Sequence, residues 1–134
     1  MKRPALLDVN VLVAVLDAAH VHHDRAVDWF VEHAHRGWAT CPLVDLGFTR
    51  VMCSAGIPGA LRPDEAVELL RQLKASPGYR FVADSLPLEE VLKLPIKGIQ
   101  QLTDVYLVAL CRSNDIRLAT FDRRIEAPDV VVDI

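Results

Sequence analysis

The sequence has few cysteines, and their spacing forms no pair. Cys41, Cys53 and Cys111 are the three cysteines in a chain of 134 residues, and none belongs to a CxxC motif. An odd count with apolar neighbours argues against a disulfide framework and against a thiolate zinc site. The cysteine content therefore fits a protein of the reducing cytoplasm.

Long hydrophobic runs and an excess of positive charge are also missing. No segment approaches the roughly 18 to 20 unbroken apolar residues that a membrane span needs. The apolar stretch 5–16 follows Lys2 and Arg3 like a signal peptide, but Asp8 and Asn10 interrupt it. The 15 Lys and Arg residues are outnumbered by 18 Asp and Glu, so the chain lacks the basic signature of proteins that bind nucleic acid through charge alone. We therefore expect a soluble, cytoplasmic protein with no membrane partner, in which any nucleic acid is bound at a specific site.

Glycine-rich phosphate loops are absent too. The chain contains neither GxxxxGK nor GxGxxG, which excludes a P-loop and a Rossmann cofactor site. Apolar material is present in quantity: 51% of the residues are hydrophobic, enough for a packed interior and too many for a wholly disordered chain. The length predicts one domain spanning residues 1–134.

Short apolar runs alternate with amphipathic stretches along the chain. The pattern predicts strands at residues 5–7, 38–41, 79–83, 116–120 and 130–132. Helices are predicted at 9–16, 22–36, 42–54, 63 to about 75, 88–94 and 104–114, with a loop at 95–101. Parallel neighbouring strands need a crossover, so this order predicts a three-layer α/β/α domain with a central, mainly parallel sheet of four or five strands.

Two helices carry more detailed expectations. In the helix at 22–36, Val27, Phe30, Val31 and Ala34 are spaced as one buried stripe. Thr103 is the expected N-cap of the helix at 104–114, which is apolar on most faces and is therefore buried in the fold or against a partner.

Four carboxylates stand where secondary structure changes. Asp8 follows the first strand, Asp45 and Asp104 lie in first turns of helices, and Asp122 follows the fourth strand. In open parallel sheets the carboxyl ends of the strands and the starts of the following helices share one edge, where ligands bind. We therefore expect the four side chains to converge.

Clustered carboxylates repel one another unless a cation neutralises them. The donors are oxygen only, which favours Mg²⁺ or Mn²⁺ over zinc. A metal ion held there would activate water and shield the charge that develops on a phosphate, so the cluster predicts phosphodiester hydrolysis. The competing interpretation is local: Asp is common at helix starts and in turns, and this applies to Asp45, Asp104 and Asp122 more than to Asp8, which closes an apolar run.

Four segments together resemble a known family. The segments LLDVNVL (6–12), CPLVDLGFTR (41–50), LTDVYL (102–107) and LATFDR (118–123) are similar in order and spacing to PIN-domain ribonucleases, specifically VapC-type toxins of bacterial type II toxin–antitoxin modules. The resemblance implies a Mg²⁺- or Mn²⁺-dependent endoribonuclease that acts on RNA, forms a homodimer and is inhibited by a cognate antitoxin.

The resemblance also implies residue roles. Asp8 and Asp104 would be the principal metal ligands, Asp122 would complete the acidic cluster, and Asn10 and Thr120 would support it. Asp45 occupies a position where relatives often carry Glu, so its carboxylate reaches roughly 1.5 Å less far. Asp45 is therefore expected to belong to the catalytic set without a settled role in direct ligation.

Other residues keep two interpretations. The five histidines form no zinc-binding spacing, and those at 20–23 either lie near the substrate or cap the second helix. Five arginines would either hold RNA phosphates or pair with acidic residues: Arg50, Arg112, Arg117, Arg123 and Arg124. Three aromatic residues are expected in the core or at a dimer interface rather than under a nucleobase: Trp29, Phe30 and Trp38.

Two other functions fit the acidic pattern. One is an interaction protein with a PIN-like fold whose nuclease pocket has decayed, which the shortened Asp45 favours. The other is a Mg²⁺-dependent aspartyl phosphotransfer domain, which also places an Asp after its first strand. Asn10 stands where the phosphatase motif has its second Asp, and no Lys follows the last strand as in receiver domains, so the phosphotransfer alternative is the weaker one.

Overall fold

A computed structural model describes residues 3–93 and 98–134. Five parallel strands form one sheet in the order β3-β2-β1-β4-β5. The strands are β1 (Ala5–Leu7), β2 (Trp38–Thr40), β3 (Tyr79–Phe81), β4 (Arg117–Thr120) and β5 (Val131–Asp133). The five strands predicted from the sequence are thus confirmed, each with ends shifted by two residues or fewer, and all neighbours are parallel.

Within residues 3–93 and 98–134, six α-helices lie between the first four strands. They are α1 (Val9–Leu16), α2 (His23–His33), α3 (Pro42–Met52), α4 (Pro63–Lys74), α5 (Leu88–Val91) and α6 (Leu102–Ser113). Helix α1 contacts α2 and α3, α3 contacts α4, and α5 contacts α6. The chain moves across the sheet one way from β1 to β3 and returns the other way to β4. Right-handed crossovers therefore place α1 to α4 on one face and α5 and α6 on the other, as the predicted three-layer architecture requires.

The core is densest around β1 and the first helix. Leu6 and Leu7 of β1 and Leu12 of α1 are fully buried, and so is Leu107 of α6 on the other face. A strand buried on both faces reads as a continuous apolar run, which explains why the short segment Ala5–Leu7 is predictable.

Helices α1 and α3 approach closely at a glycine. A Cβ atom on Gly47 would lie 2.7 Å from Cγ2 of Val9, which is closer than two carbon atoms can approach without a shift. Val9 directly follows Asp8, so this close packing fixes the start of α1 against α3.

The structure corrects two details predicted from the sequence. Val31 is 73% exposed, because α2 turns Ala26 toward the core and rests Phe30 on it, so the predicted stripe was wrong at Val31. Helix α6 begins at Leu102, one residue before Thr103, so Thr103 lies inside the first turn and is not the N-cap.

The expected connecting loop at 95–101 lies in part outside the described residues. Residues 99–101 within it form a short 3-10 turn. Across the described part of the chain, none of the helices has the length and apolar character that a membrane crossing needs.

Candidate active site

Asp8 directly follows β1, at the point in the sheet where the direction of the strand connections reverses. β1 pairs with β2 on one side and with β4 on the other, and Leu7 is in register with Ala119. The successive crossovers run in opposite directions from this pair of strands, which creates the crevice where α/β sheets bind ligands. Asp8 lies at its floor with 6% of its surface exposed.

Three hydrogen bonds fix Asp8. Its backbone N–H donates to the Ala119 carbonyl at 2.9 Å, and its Oδ1 accepts from the Val9 N–H at 2.8 Å, so the side chain also caps α1. Its Oδ2 accepts from the Thr120 hydroxyl at 2.8 Å. The carboxylate therefore has one orientation, set by the ends of β1 and β4.

Thr120 links the predicted supporting residues. Its side chain is fully buried, and its Oγ1 accepts from Asn10 Nδ2 at 3.3 Å and from the Asp122 N–H at 3.0 Å while it donates to Asp8. Asn10 Oδ1 in turn accepts from the Phe121 N–H at 3.2 Å. The segment after β4 is thus tied to the start of α1 by side chains that the sequence singled out.

Asp8, Asp104 and Asp122 share one electrostatic environment. Asp104 projects from the first turn of α6, and the pKa of its carboxyl is raised to about 6, first by burial and then by the charges of Asp8 and Asp122. Burial also raises the pKa of Asp8, against the hydrogen bonds from Thr120 and Val9, and the charge of Asp122 adds to the rise. These three carboxylates are therefore near enough to influence one another's ionisation.

Asp122 has a cationic partner of its own. The Arg124 guanidinium donates to both carboxylate oxygens of Asp122, from Nε to Oδ1 at 3.0 Å and from Nη2 to Oδ2 at 3.0 Å. Arg124 holds the pKa of Asp122 below its usual range, and its charge partly opposes the rise in the pKa of Asp104. The sequence left open whether Arg124 pairs with an acid, and here it does.

Asp45 is bound to the neighbouring helix. Its Oδ2 accepts from Lys74 Nζ at 2.5 Å, and that ammonium lies 5.4 Å from the centre of the Tyr79 ring. The Tyr79 hydroxyl is in turn 3.0 Å from Thr40 Oγ1, at the end of β2. Asp45 thus links α3 to α4, and among the described residues no hydrogen bond or ion pair joins it to Asp8, Asp104 or Asp122.

The sequence reasoning missed Asp84. Its Oδ2 accepts from the Leu43 N–H at 2.9 Å, which caps the start of α3 from the loop after β3. The available signal was its place after an apolar segment, the same signal that identified Asp8. Asp84 thus fixes the start of the helix that carries Asp45.

The two buried cysteines, Cys41 and Cys111, offer no alternative nucleophile. All three are free, and burial raises the pKa of both Cys41 and Cys111 to about 12. A thiolate is the reactive form of cysteine, so thiols held protonated at neutral pH are chemically inert.

Several of the aromatic and histidine side chains singled out in the sequence pack against one another. Trp38 is fully buried, as expected, and meets Phe30 edge to face at 5.0 Å. Trp29 stacks on His33 at 4.9 Å. His22 occupies the N-cap position of α2 without a capping hydrogen bond and stacks on the ring of Phe121 at 5.0 Å.

The donor chemistry of the crevice suits a hard cation, but its arrangement is incomplete. Asp8 and Asp104 offer carboxylate oxygens at one place, and burial with mutual repulsion leaves both short of a neutralising charge. Within residues 3–93 and 98–134, no three His, Cys, Asp or Glu side chains stand ready together to hold a metal ion. The third carboxylate, Asp122, is turned to Arg124 instead. The chemistry of Asp8 and Asp104 therefore fits a divalent ion, while the pairing with Arg124 engages the oxygens of Asp122.

Comparison with known proteins identifies the class to which this fold and crevice belong. A family model for the PIN domain matches residues 5–131, so the chain belongs to the PIN domain family. Among curated proteins it is 44% identical over 119 residues to ribonuclease VapC38 of Mycobacterium tuberculosis, covering 88% of this chain and 84% of the relative. It is 36% identical over 124 residues to ribonuclease VapC44 of the same species, covering 90% and 87%.

Solved structures agree in fold. VapC20 of Mycobacterium tuberculosis, described as a sarcin-ricin loop cleaving toxin, superposes with a TM-score of 0.71 at 15% identity, covering 97% of this chain and 98% of that one. VapBC2 from Rickettsia felis, bound to a DNA fragment from their promoter, gives 0.63 at 10% identity and covers 98% of each chain. At these identities the likeness establishes the architecture, and the predicted PIN-like α/β/α fold is confirmed.

Proposed function

We propose that the protein is a metal-dependent endoribonuclease, the toxin of a toxin–antitoxin pair, that acts in the cytoplasm. The observation that carries the proposal is the group formed by Asp8, Asp104 and Asp122 at the switch point between β1 and β4, where the pKa of Asp104 is raised to about 6. The identity of 44% to a protein named ribonuclease VapC38 supports the reaction class.

The proposed metal ligands are Asp8, Asp104 and Asp122, with Mg²⁺ or Mn²⁺ as the cation. A divalent ion bound there supplies Lewis acidity, which lowers the pKa of a bound water and shields the charge on a scissile phosphate. Asp8 is held for ligation by the Val9 N–H and the Thr120 hydroxyl. Buried, hydrogen-bonded carboxylates of this kind need little reorganisation to bind an ion, which is the structural basis of a preorganised site.

Thr120 and Asn10 act through other residues and are positioning residues in this proposal. Thr120 orients Asp8 and holds the Asp122 backbone, and Asn10 holds Thr120 and Phe121. Membership of Asp45 in the catalytic set remains a prediction, since Lys74 binds its carboxylate. Joining the crevice would require Asp45 to leave that partner.

The proposed partners are an RNA substrate, a cognate antitoxin and a second copy of the chain. Support for the antitoxin comes from the structural neighbours, which include VapBC2 and FitAB, both solved on DNA fragments. Support for an RNA substrate comes from the name ribonuclease shared by the curated relatives and from the description of VapC20.

The test is cleavage of RNA by the purified chain, freed of any antitoxin. Total RNA and a sarcin-ricin loop hairpin are incubated with Mg²⁺, with Mn²⁺ or with a chelator, and the ends are mapped. We expect cleavage only with a divalent ion, and a loss of at least about 100-fold in Asp8→Asn, because a principal ligand is removed. Asp28→Asn on the exposed side of α2 is the control for loss of one negative charge. Cleavage that persists in chelator, or in Asp8→Asn, contradicts the proposal.

One observation favours the decayed interaction protein as a second candidate. Both Asp45 and Asp122 are engaged by basic side chains, so two of the four carboxylates are neutralised within the chain itself. That function predicts a folded protein that binds its antitoxin and cuts no RNA under any metal condition. Metal-dependent cleavage by the unmodified chain separates the two. Asp45→Glu should then maintain or raise turnover in a nuclease, whereas a decayed pocket cuts no RNA with either residue at position 45.

A further inference from the structure

Arg124 occupies the carboxylate edge of Asp122 completely. Its Nε and Nη2 donate to the two oxygens in a fork, and its own backbone N–H donates to Oδ1 at 2.9 Å. Bidentate pairing of this kind is the strongest geometry that an arginine and a carboxylate adopt. No oxygen of Asp122 therefore faces the crevice without a competing donor.

The two partners differ in their freedom. The Asp122 side chain is 17% exposed, and its backbone is fixed by the bond from its N–H to Thr120 Oγ1. The Arg124 side chain is 87% exposed and holds only this carboxylate among the residues that the structure describes. The guanidinium can consequently swing into solvent while Asp122 stays at the edge of the crevice.

The positive charge of Arg124 also acts on Asp104. It opposes the effect that Asp8 and Asp122 have on Asp104, so it acts as a counter-ion for more than its direct partner. A divalent cation would serve the same purpose with twice the charge. Arg124 and the cation would thus compete for the carboxylate of Asp122.

We propose that Arg124 is a positioning residue that holds Asp122 in the metal-free protein and is displaced from it when a divalent cation binds. The inference rests on the proposed metal site and deepens it. It explains why three carboxylates that interact electrostatically do not form a ready three-ligand site in the described residues.

The competition should be modest, because an exposed ion pair is weak in water and is screened by salt. Replacing Arg124 with Gln should therefore tighten the binding of Mn²⁺ by about two- to fivefold at low ionic strength. Arg124→Lys keeps the charge but loses the fork, and its dissociation constant should lie between those of the unmodified chain and Arg124→Gln.

The experiment is calorimetric titration of Mn²⁺ into the 134-residue chain, which measures metal binding without reference to activity. Arg123→Gln is the matched control, since it removes the same charge from the adjacent exposed residue. We expect it to change the affinity less than Arg124→Gln does. Equal effects of the two substitutions would overturn the proposal in favour of a long-range charge effect, and weaker binding by Arg124→Gln would show that Arg124 prepares the site instead.

A double-mutant cycle isolates the contact. In an Asp122→Asn background there is no carboxylate to compete for, so adding Arg124→Gln should no longer tighten Mn²⁺ binding. An undiminished effect in that background overturns the proposal. An unmodified chain that binds no Mn²⁺ removes the proposed metal site together with this inference, whereas binding with identical affinity in all variants removes this inference alone.

Discussion

Replacing Asp104 with Asn should stabilise the metal-free protein at neutral pH. The pKa of Asp104 is raised from 3.8 to about 6, first by burial and second by the charges of Asp8 and Asp122. The ionised form is therefore disfavoured in the folded state. Within residues 3–93 and 98–134 the Asp104 side chain forms no hydrogen bond or ion pair that the substitution would remove, so relief of repulsion should dominate.

The sign and the pH range follow from linkage. Between about pH 4 and pH 6 the folded protein binds the proton on Asp104 more tightly than the unfolded chain does, so stability falls as the pH rises through this range. A shift of about two pH units corresponds to an upper bound of about 3 kcal/mol. Asp104 is only partly buried, so solvent screening reduces the expected gain for Asp104→Asn to about 1 kcal/mol at pH 7.5.

The assay is urea unfolding in the presence of a chelator at pH 7.5 and at pH 4.5, for the unmodified chain, Asp104→Asn and the charge control Asp28→Asn. The gain in Asp104→Asn should be largest at pH 7.5 and should shrink at pH 4.5, where Asp104 itself becomes protonated. Adding Mn²⁺ should reverse the order of stability, because the variant has lost a proposed ligand. A gain that does not depend on pH, or a loss of stability at pH 7.5, would refute the reasoning.

Two further substitutions test Thr120 at the site and Gly78 at the opposite edge of the sheet, before β3. Thr120→Val should destabilise the protein by about 1.5–3 kcal/mol at pH 7, because the buried Asp8 carboxylate loses its hydroxyl donor. Thr120→Ser keeps the hydroxyl and should retain most of the stability. Thermal unfolding compares the two variants, and equal stability would count against the hydrogen bond. Gly78→Ala should cost more than about 1 kcal/mol, since residue 78 has a φ of 91° and an added Cβ would overlap the Ala34 carbonyl oxygen. An unchanged urea midpoint would contradict this geometry.

The sequence predicted the fold through its apolar runs. β1 and α1 are buried almost throughout, and their continuous hydrophobic residues mark a central strand followed by a buried helix. The surface helix α2 was predicted less well. Its apolar residues outnumber the positions that face the core, so periodicity alone could not decide that Ala26 is buried and Val31 exposed.

The candidate site was predictable where the backbone alone sets the position. Asp8 and Thr120 stand at the ends of adjacent parallel strands, so their convergence follows from topology, and Asp104 follows from the start of α6 on the return crossover. Two contacts could not be predicted from the topology. The pairing of Asp45 with Lys74 depends on how α4 lies against α3, and the turn of Asp122 toward Arg124 depends on a side-chain rotamer.

This difference separates the acidic residues into two kinds. The Asp8 carboxylate is held by the Val9 N–H and by a fully buried hydroxyl, so it cannot reorient without disturbing the junction of β1, β4 and α1. Asp45 and Asp122 are paired with the ends of long basic side chains, and the exposed Arg124 side chain can change partner without any change in the fold. Binding of a cation in the crevice should therefore leave Asp8 in place and redistribute the basic partners around it. The metal-free and metal-bound proteins should differ in their ion pairs far more than in their backbone.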